Sequence, residues 1–296
     1  MGRYHAEKLA RVPGVDLVAV VDADAARAAA VTQKLGGAPL GDYRAIFGKA
    51  DAAVIAVPTD RHHEIARACL EHGLHVLVEK PIATTLAQAD ELIALAESKK
   101  LVLQSGHVER YNRAYRALVA RMDRPVFIEA ERLAAFKQRG AEVDVVLDLM
   151  IHDLDLACAL ARAEPVDVSA CGFRVLTRDI DIANARIEFA NGCVANLSAS
   201  RVSRAPVRKL RVFQPDLYVS ADLQGGKLRY VRQAGGAIEE TEETHEGDAL
   251  AEQAAAFAAA VQGRQAVELD GREGRRALEL ALTVGRLVRE RLQRFE

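Results

Sequence analysis

DAAVIAVPTDRHHEIARACLEHGLHVLVEKP, residues 51–81, reads as strand, helix, strand. DAAVIAVP (51–58) and LHVLVEKP (74–81) are apolar throughout rather than alternating, the pattern of strands buried on both faces. DRHHEIARACLEHG between them has helical spacing. The same alternation continues outward: VDLVAVV (15–21) and LVLQSGH (101–107) read as strands, and DAARAAAVTQKLG, with Gly36 as its C-cap, and TLAQADELIALAESKK read as helices. Apolar strands separated by helices of this length predict βαβ crossovers and a doubly wound parallel sheet. RYNRAYRALVARM (110–122) reads as the last helix of this domain, which is expected to span residues 1–124.

After Arg124 the pattern changes. VVLDLMIHDLDLACALA (145–161) reads as a helix. VDVSACGFRVL, DIANARIEFA, GCVANLSASRV, VRKLRVFQ and the GGKLRYVRQ region then alternate in part, with N-G and G-G turns between them. This predicts a mostly antiparallel sheet with one solvated or partner-covered face. Two helices, DALAEQAAAFAAAVQG and GREGRRALELALTVGRLVRERLQ, close the chain and could pack back on the first domain. The expected architecture is a Rossmann-type α/β domain followed by an α+β domain over residues 125–296.

The 296 residues suffice for two cores, and the formal net charge of −2 leaves no electrostatic footprint for nucleic acid or an acidic membrane. Cys69, Cys158, Cys171 and Cys193 are scattered without metal-ligand spacing and read as core residues in a reducing compartment. No apolar stretch has the length of a membrane span and no signal peptide is visible, so a cytoplasmic protein is expected.

Asp22 ends the strand VDLVAVVD, 20 positions after Gly2. In dinucleotide-binding units an acidic residue at this distance bonds the adenosine ribose hydroxyls. A carboxylate there repels a 2′-phosphate and no arginine follows immediately, so NAD is expected over NADP. A cap on the helix beginning near Ala23 is the alternative role. Gly2 matches the third glycine of G-x-G-x-x-G, at the first turn of the helix GRYHAEKLAR. The strand and two glycines that would precede it are not in the sequence. That strand would be central and would bury roughly five side chains at about 1.5–3 kcal/mol each, so Met1 is expected to be an internal methionine of a longer reading frame.

VLVEKPIATT (76–85) delivers Glu79, Lys80 and Pro81 to the carboxyl end of a strand, the edge where such sheets bind ligands. Lys80 could set an ammonium beside a hydroxyl or developing carbonyl oxygen, or simply reach solvent. In DLMIHDLDL (148–156), Asp148 and His152 lie four apart and share a helix face. Histidine suits general-base work near neutrality, and a carboxylate can orient it. A hydrogen-bonded core histidine is the plainer alternative. A metal site of Asp148, His152 and Asp153 has too few clear ligands, and no metal is expected.

Taken together, VVDAD, AVPTDRHHEIARACLEHGLHVLVEKP, GHVERYN and DLMIHDLDL resemble, in order and over nearly the whole chain, the Gfo/Idh/MocA family of sugar and polyol dehydrogenases. The resemblance implies a Rossmann domain for the cofactor and an open-faced sheet domain for substrate contacts and subunit packing. It implies a catalytic trio of Lys80, Asp148 and His152, with Pro58, Thr59, His62 and Glu79 on the cofactor side. A helix-cap role for Thr59 or Asp60 is equally compatible with the residues. GHVERYNRA with DLMIHDLDL is similar to members that oxidise the 3-hydroxyl of UDP-N-acetylglucosamine, which would bring Arg110 and Asn112 close to the sugar; helix-start polarity is their alternative reading. A sugar or nucleotide-sugar substrate and a homodimer or homotetramer are implied. GRYH supplies only the last glycine and His5 of the family's G-x-G-x-x-G-x-x-H, a departure that touches pyrophosphate binding and leaves the trio intact. A non-catalytic NAD-binding sensor or scaffold, an inactive truncated dehydrogenase and a metal-dependent hydrolase are the competing functions.

Overall fold

The computed structural model describes residues 1–136 and 143–294. In chain order its elements are α1 (Gly2–Leu9), β1 (Ala19–Val21), α2 (Ala25–Leu35), β2 (Ala38–Leu40), β3 (Ala52–Ile55), α3 (His62–Glu71), β4 (His75–Glu79), α4 (Leu86–Lys99), β5 (Leu103–Gly106), α5 (Arg113–Val119) and β6 (Phe127–Leu133). They continue with α6 (Ile151–Ala161), β7 (Pro165–Phe173), β8 (Ile182–Phe189), β9 (Val194–Ser200), β10 (Val207–Gln214), β11 (Leu217–Asp222), β12 (Lys227–Ala234), β13 (Ala237–Thr244), α7 (Ala249–Val261) and α8 (Gly271–Leu292). Two compact units result, Met1–Val108 with Asp248–Arg275, and Glu109–Gly247 with Arg276–Glu296.

The first unit is the parallel α/β domain. β3, β4 and β5 pair in that order, and β1 pairs with β2, all in parallel. No described strand joins β1 to β3. β4 is apolar along its length because both faces are covered: Val76, Leu77 and Val78 are fully buried. α3 turns Ile65, Ala66, Cys69 and Leu70 inward, against β3, β4 and α4. Each large side chain buried in this way contributes about 1.5–3 kcal/mol. Helix starts and stops follow local chemistry. Asp24 accepts the Ala26 and Arg27 N–H groups to cap α2, Thr85 accepts from Gln88 to cap α4, and Gly36 ends α2 at φ 85°. α7 packs on α1, and Lys8 meets Asp248 at 2.5 Å.

The second unit is one eight-stranded sheet in the order β13-β12-β11-β10-β6-β9-β8-β7, antiparallel except for β6 with β9. Burial alternates along β8, where Ala183, Ala185, Ile187 and Phe189 face the core. The same apolar cluster takes in Leu118 of α5, Ile151 and Leu154 of α6, and Leu280, Val284 and Val288 of α8. The opposite face carries Glu129, Glu131, Asn184, Asn196, Ser198 and Arg211 around an open hollow.

Three expectations shift. The segment 110–122 belongs to the second unit, so the units meet at Val108 and Glu109 rather than after residue 124. Its Ala114, Tyr115 and Leu118 are committed to the second core, and Asn112 delays the helix start to Arg113. Three strands of the large sheet, β6, β11 and β13, also lie outside the five partly alternating runs read from the sequence. The helix over 145–161 opens with a π-helical turn, Val146–Met150, in which the Ile151 N–H reaches the Val146 carbonyl.

Candidate active site

In the first unit the carboxyl end of β4 is fixed by two histidines. Buried His5 donates from Nε2 to Glu79 Oε1 at 2.6 Å, and the Lys80 N–H donates to Glu79 Oε2 at 3.2 Å. Burial raises the Glu79 carboxyl, but the His5 hydrogen bond and the His5 and Lys80 charges outweigh it and hold the group below its usual range. Buried His62 links the carbonyls of Pro81, through Nδ1 at 2.8 Å, and Val57, through Nε2 at 2.9 Å. Both ring nitrogens are thus used inside the protein, tying the end of β3 to the cis Lys80–Pro81 peptide. Gly106 completes the corner, since a Cβ there would stand 2.7 Å from the Glu79 Cα. Lys80 is left half-buried at the strand end. Exposed Pro58 and half-buried Thr59 open a 3₁₀ turn, Thr59–Arg61, and neither Thr59 nor Asp60 caps α3.

Half-buried Asp22 follows β1. Its Oδ1 accepts the Asp24 N–H at 2.9 Å and meets Arg27 at 3.1 Å, so Asp24 rather than Asp22 is the helix cap. Arg27 is the arginine not anticipated from the residues next to Asp22, and it also meets Asp24 at 3.3 Å. Gly2 stands exposed in the first turn of α1, which has no side-chain cap and no acidic residue there. A Cβ on Gly2 would only touch Ala56 at 4.0 Å. These groups fit a dinucleotide in kind: a carboxylate after β1 for ribose hydroxyls, and uncapped helix amides for a phosphate.

In the second unit, Asp144 accepts the Val146 and Leu147 N–H groups and starts the π-helical turn. Asp148 lies within that turn and His152 in the first turn of α6, both half-buried. The residues that follow point elsewhere. Asp153 receives both Nε (2.9 Å) and Nη2 (2.8 Å) of buried Arg132, whose Nη1 donates to Glu109 at 2.9 Å. Burial lowers the Arg132 guanidinium, but Asp153 and Glu109 outweigh it and hold the group above its usual range. Asp153 is therefore engaged as an ion-pair partner, and among the described residues no three His, Cys, Asp or Glu side chains gather as a metal-ligand set.

Arg110 donates from Nε to buried Asp155 at 2.9 Å. Asn112 caps α5 by accepting the Ala114 and Tyr115 N–H groups, while its Nδ2 donates to the Leu223 carbonyl at 2.8 Å. The helix-start role thus accounts for the Oδ1 end of the Asn112 side chain, and the Leu223 carbonyl takes its Nδ2 end. Glu109 and Arg132 were not singled out in the sequence. The available signal was an arginine at an inward position of β6, two residues beyond buried Ala130.

Residues 1–107 match the Gfo/Idh/MocA oxidoreductase family with its NAD-binding Rossmann fold, and residues 115–214 match a Gfo/Idh/MocA C-terminal domain. The chain is 41% identical over 302 residues to UDP-N-acetylglucosamine 3-dehydrogenase of Acidithiobacillus ferrooxidans, covering 99% of this chain and 96% of that one. A solved structure of the A. ferrooxidans enzyme superposes with a TM-score of 0.91 at 39% identity, over 97% of this chain and 93% of that one. scyllo-Inositol 2-dehydrogenase (NAD(+)) of Bacillus subtilis is 30% identical over 69% of this chain and 65% of its own length. A match over 99% of the chain, on a parallel α/β unit followed by a mostly antiparallel sheet, makes the chain a member of the Gfo/Idh/MocA family of NAD-binding oxidoreductases.

Proposed function

We propose that this protein is an NAD-dependent dehydrogenase that oxidises the 3-hydroxyl of UDP-N-acetylglucosamine to the ketone. The 41% identity to the A. ferrooxidans enzyme over 99% of the chain carries the reading. Bound NAD supplies the hydride acceptor, C4 of the nicotinamide. His152 takes the hydroxyl proton as the C3 hydrogen leaves as hydride, and Asp148 orients the imidazole. Lys80 stabilises the negative charge that develops on the sugar oxygen. Pro58 and Thr59 border the cofactor near the end of β3. Glu79 and His62 act on the cofactor side indirectly, by fixing Lys80 and Pro81. Arg110 is the residue of the 109–112 segment that borders the sugar, and Asn112 holds that segment in place.

NAD is the cofactor rather than NADP because Asp22 would face a 2′-phosphate with a like charge. Arg27 is already matched by Asp22 and Asp24. The four cysteines are all free thiols, and burial pushes Cys69 and Cys193 up to about 11 and Cys158 to about 12. Buried free thiols at Cys69, Cys158 and Cys193 suit the reducing cytoplasm, where we place the protein. No helix among the described residues is long and apolar enough to cross a membrane. Subunits of a homodimer or homotetramer would pair through the polar face of the large sheet, where Glu129 and Glu131 already meet Arg211 and mixed charges allow self-complementary contacts.

The test is turnover in Lys80→Ala and His152→Ala. Each is expected to lower kcat by about 10²–10⁴-fold, while calorimetric NAD binding stays near wild type. Turnover at the wild-type rate in either variant would remove that residue from the mechanism.

A further inference from the structure

The second unit contains a buried charge cluster that the proposed chemistry does not use. Arg132 sits on β6, between β10 and β9, at the third inward position after Ile128 and Ala130. Its side chain is 4% exposed, and the strand offers it no solvent. All three guanidinium nitrogens are spent on two carboxylates from two other segments: Asp153 of α6, through a two-point fork, and Glu109 of the turn before α5. Arg208 adds a longer, half-exposed contact to Glu109 at 3.4 Å. Glu109 in turn receives Asn112 Nδ2 at 3.4 Å. A second arginine, Arg110, joins the same two segments through Asp155.

The cluster therefore links the strand to both pieces of backbone that carry the proposed second-unit groups. Asp153 is the neighbour of His152, and Glu109 is the neighbour of Arg110. A buried ion triad of this type is costly to desolvate, and packed apolar residues of similar volume often replace one with no loss of stability. What an apolar replacement cannot reproduce is the fixed angle of a bidentate fork.

We propose that Arg132 is a positioning residue for catalysis: its fork on Asp153 and its bond to Glu109 set His152 of α6 in register with the 109–112 segment. The inference rests on the dehydrogenase reading above. Arg132 itself touches no reacting atom. Its role is to hold the imidazole at the angle that proton transfer requires, a requirement that small displacements defeat.

The experiment compares Arg132→Lys, which keeps the charge and loses the fork, with the neutral triple variant Arg132→Met/Glu109→Gln/Asp153→Asn, both in the full chain. Arg132→Lys is expected to bind NAD as wild type and to keep KM for UDP-N-acetylglucosamine within about threefold, while kcat falls about 100-fold. The triple variant is expected to melt at or above the wild-type temperature and still turn over slowly, a split that a merely structural role would not produce. A second readout needs no substrate: the His152 ring signal in ¹⁵N-histidine NMR, assigned by its loss in His152→Asn, shifts in both variants. Wild-type kcat in either variant, or an unmoved His152 signal in a folded variant, overturns the proposal. If Arg132→Lys does not fold, the triple variant decides. Absence of turnover in wild type is failure of the dehydrogenase reading instead, and the His152 signal then decides the positioning role alone.

Discussion

The two units hold their sheets by different means. In the first, strands run from three to five residues and form two separate parallel sheets. In the second, strands of six to nine residues make one continuous sheet over one apolar cluster. Short strands bury few side chains each, so their ends are fixed by polar clips: His5 on Glu79, and His62 on Val57 and Pro81. The long sheet needs no such clips along its length. Its buried charges gather instead beside the start of α6. Ionisable groups thus fix strand ends in the first unit, and in the second Arg132, Asp153 and Glu109 join β6, α6 and the turn before α5.

Breaking the His5–Glu79 clip is the strongest test of that contrast. His5→Ala leaves a buried carboxylate without its partner and is expected to destabilise the first unit by about 3–5 kcal/mol. Calorimetry should show the loss as an early transition, with amide exchange in β8 and β9 unchanged. Equal exchange in both units would break the comparison. The folded-state pKa of Glu79 is depressed, so its contribution is complete above the ordinary carboxylate value. It is lost as pH falls through the folded value.

A polar clip of the second unit lies at the tip between β7 and β8. Burial raises the Asp181 carboxyl. The N–H groups of Val175, Leu176 and Thr177 and the Thr177 hydroxyl more than offset this, and lower it from 3.8 to about 2. Asp181→Asn is expected to cost about 2 kcal/mol above the ordinary carboxylate range. The difference from wild type should vanish as pH falls toward 2, because the wild-type advantage is complete above the ordinary carboxylate value, where the carboxyl is ionised in both states, and is lost as pH falls through the folded value. Thermal melts of both proteins across that pH range check it. The smallest expected effect is Asn112→Ala, which removes the cap of α5 and costs about 1 kcal/mol. Chemical denaturation should place that loss in the second unit.

The same contrast explains what could be read from the sequence. The first unit was legible because continuous apolar runs such as VLVE have one reading, and because EKP falls at a strand end. β2, with only Ala-Pro-Leu, carries too little pattern to be seen. In the second unit β8 alternates cleanly, whereas β6, FIEAERL, places Arg132 where an apolar residue belongs. The residue that hid the strand also organises the charge cluster. β13, AIEETEET, is exposed along nearly all of its length, so no inward face marks it. The D-x-x-x-H pair was visible as spacing, but the π-helical turn that carries Asp148 depends on Asp144 capping and on packing, which spacing does not encode. The position of His62 in the chain matches a motif. Its burial between two carbonyls is a tertiary fact.

The central claim is hydride removal from C3 of a nucleotide sugar, and isotope transfer tests it most directly. UDP-N-acetylglucosamine deuterated at C3 is incubated with the protein and NAD, and the reduced cofactor is examined by NMR. Deuterium at C4 of the nicotinamide, a 3-keto sugar product, and loss of both in His152→Ala are expected. NADH formed without the label, or no reduction of NAD by this sugar under conditions where NAD binds, would contradict it.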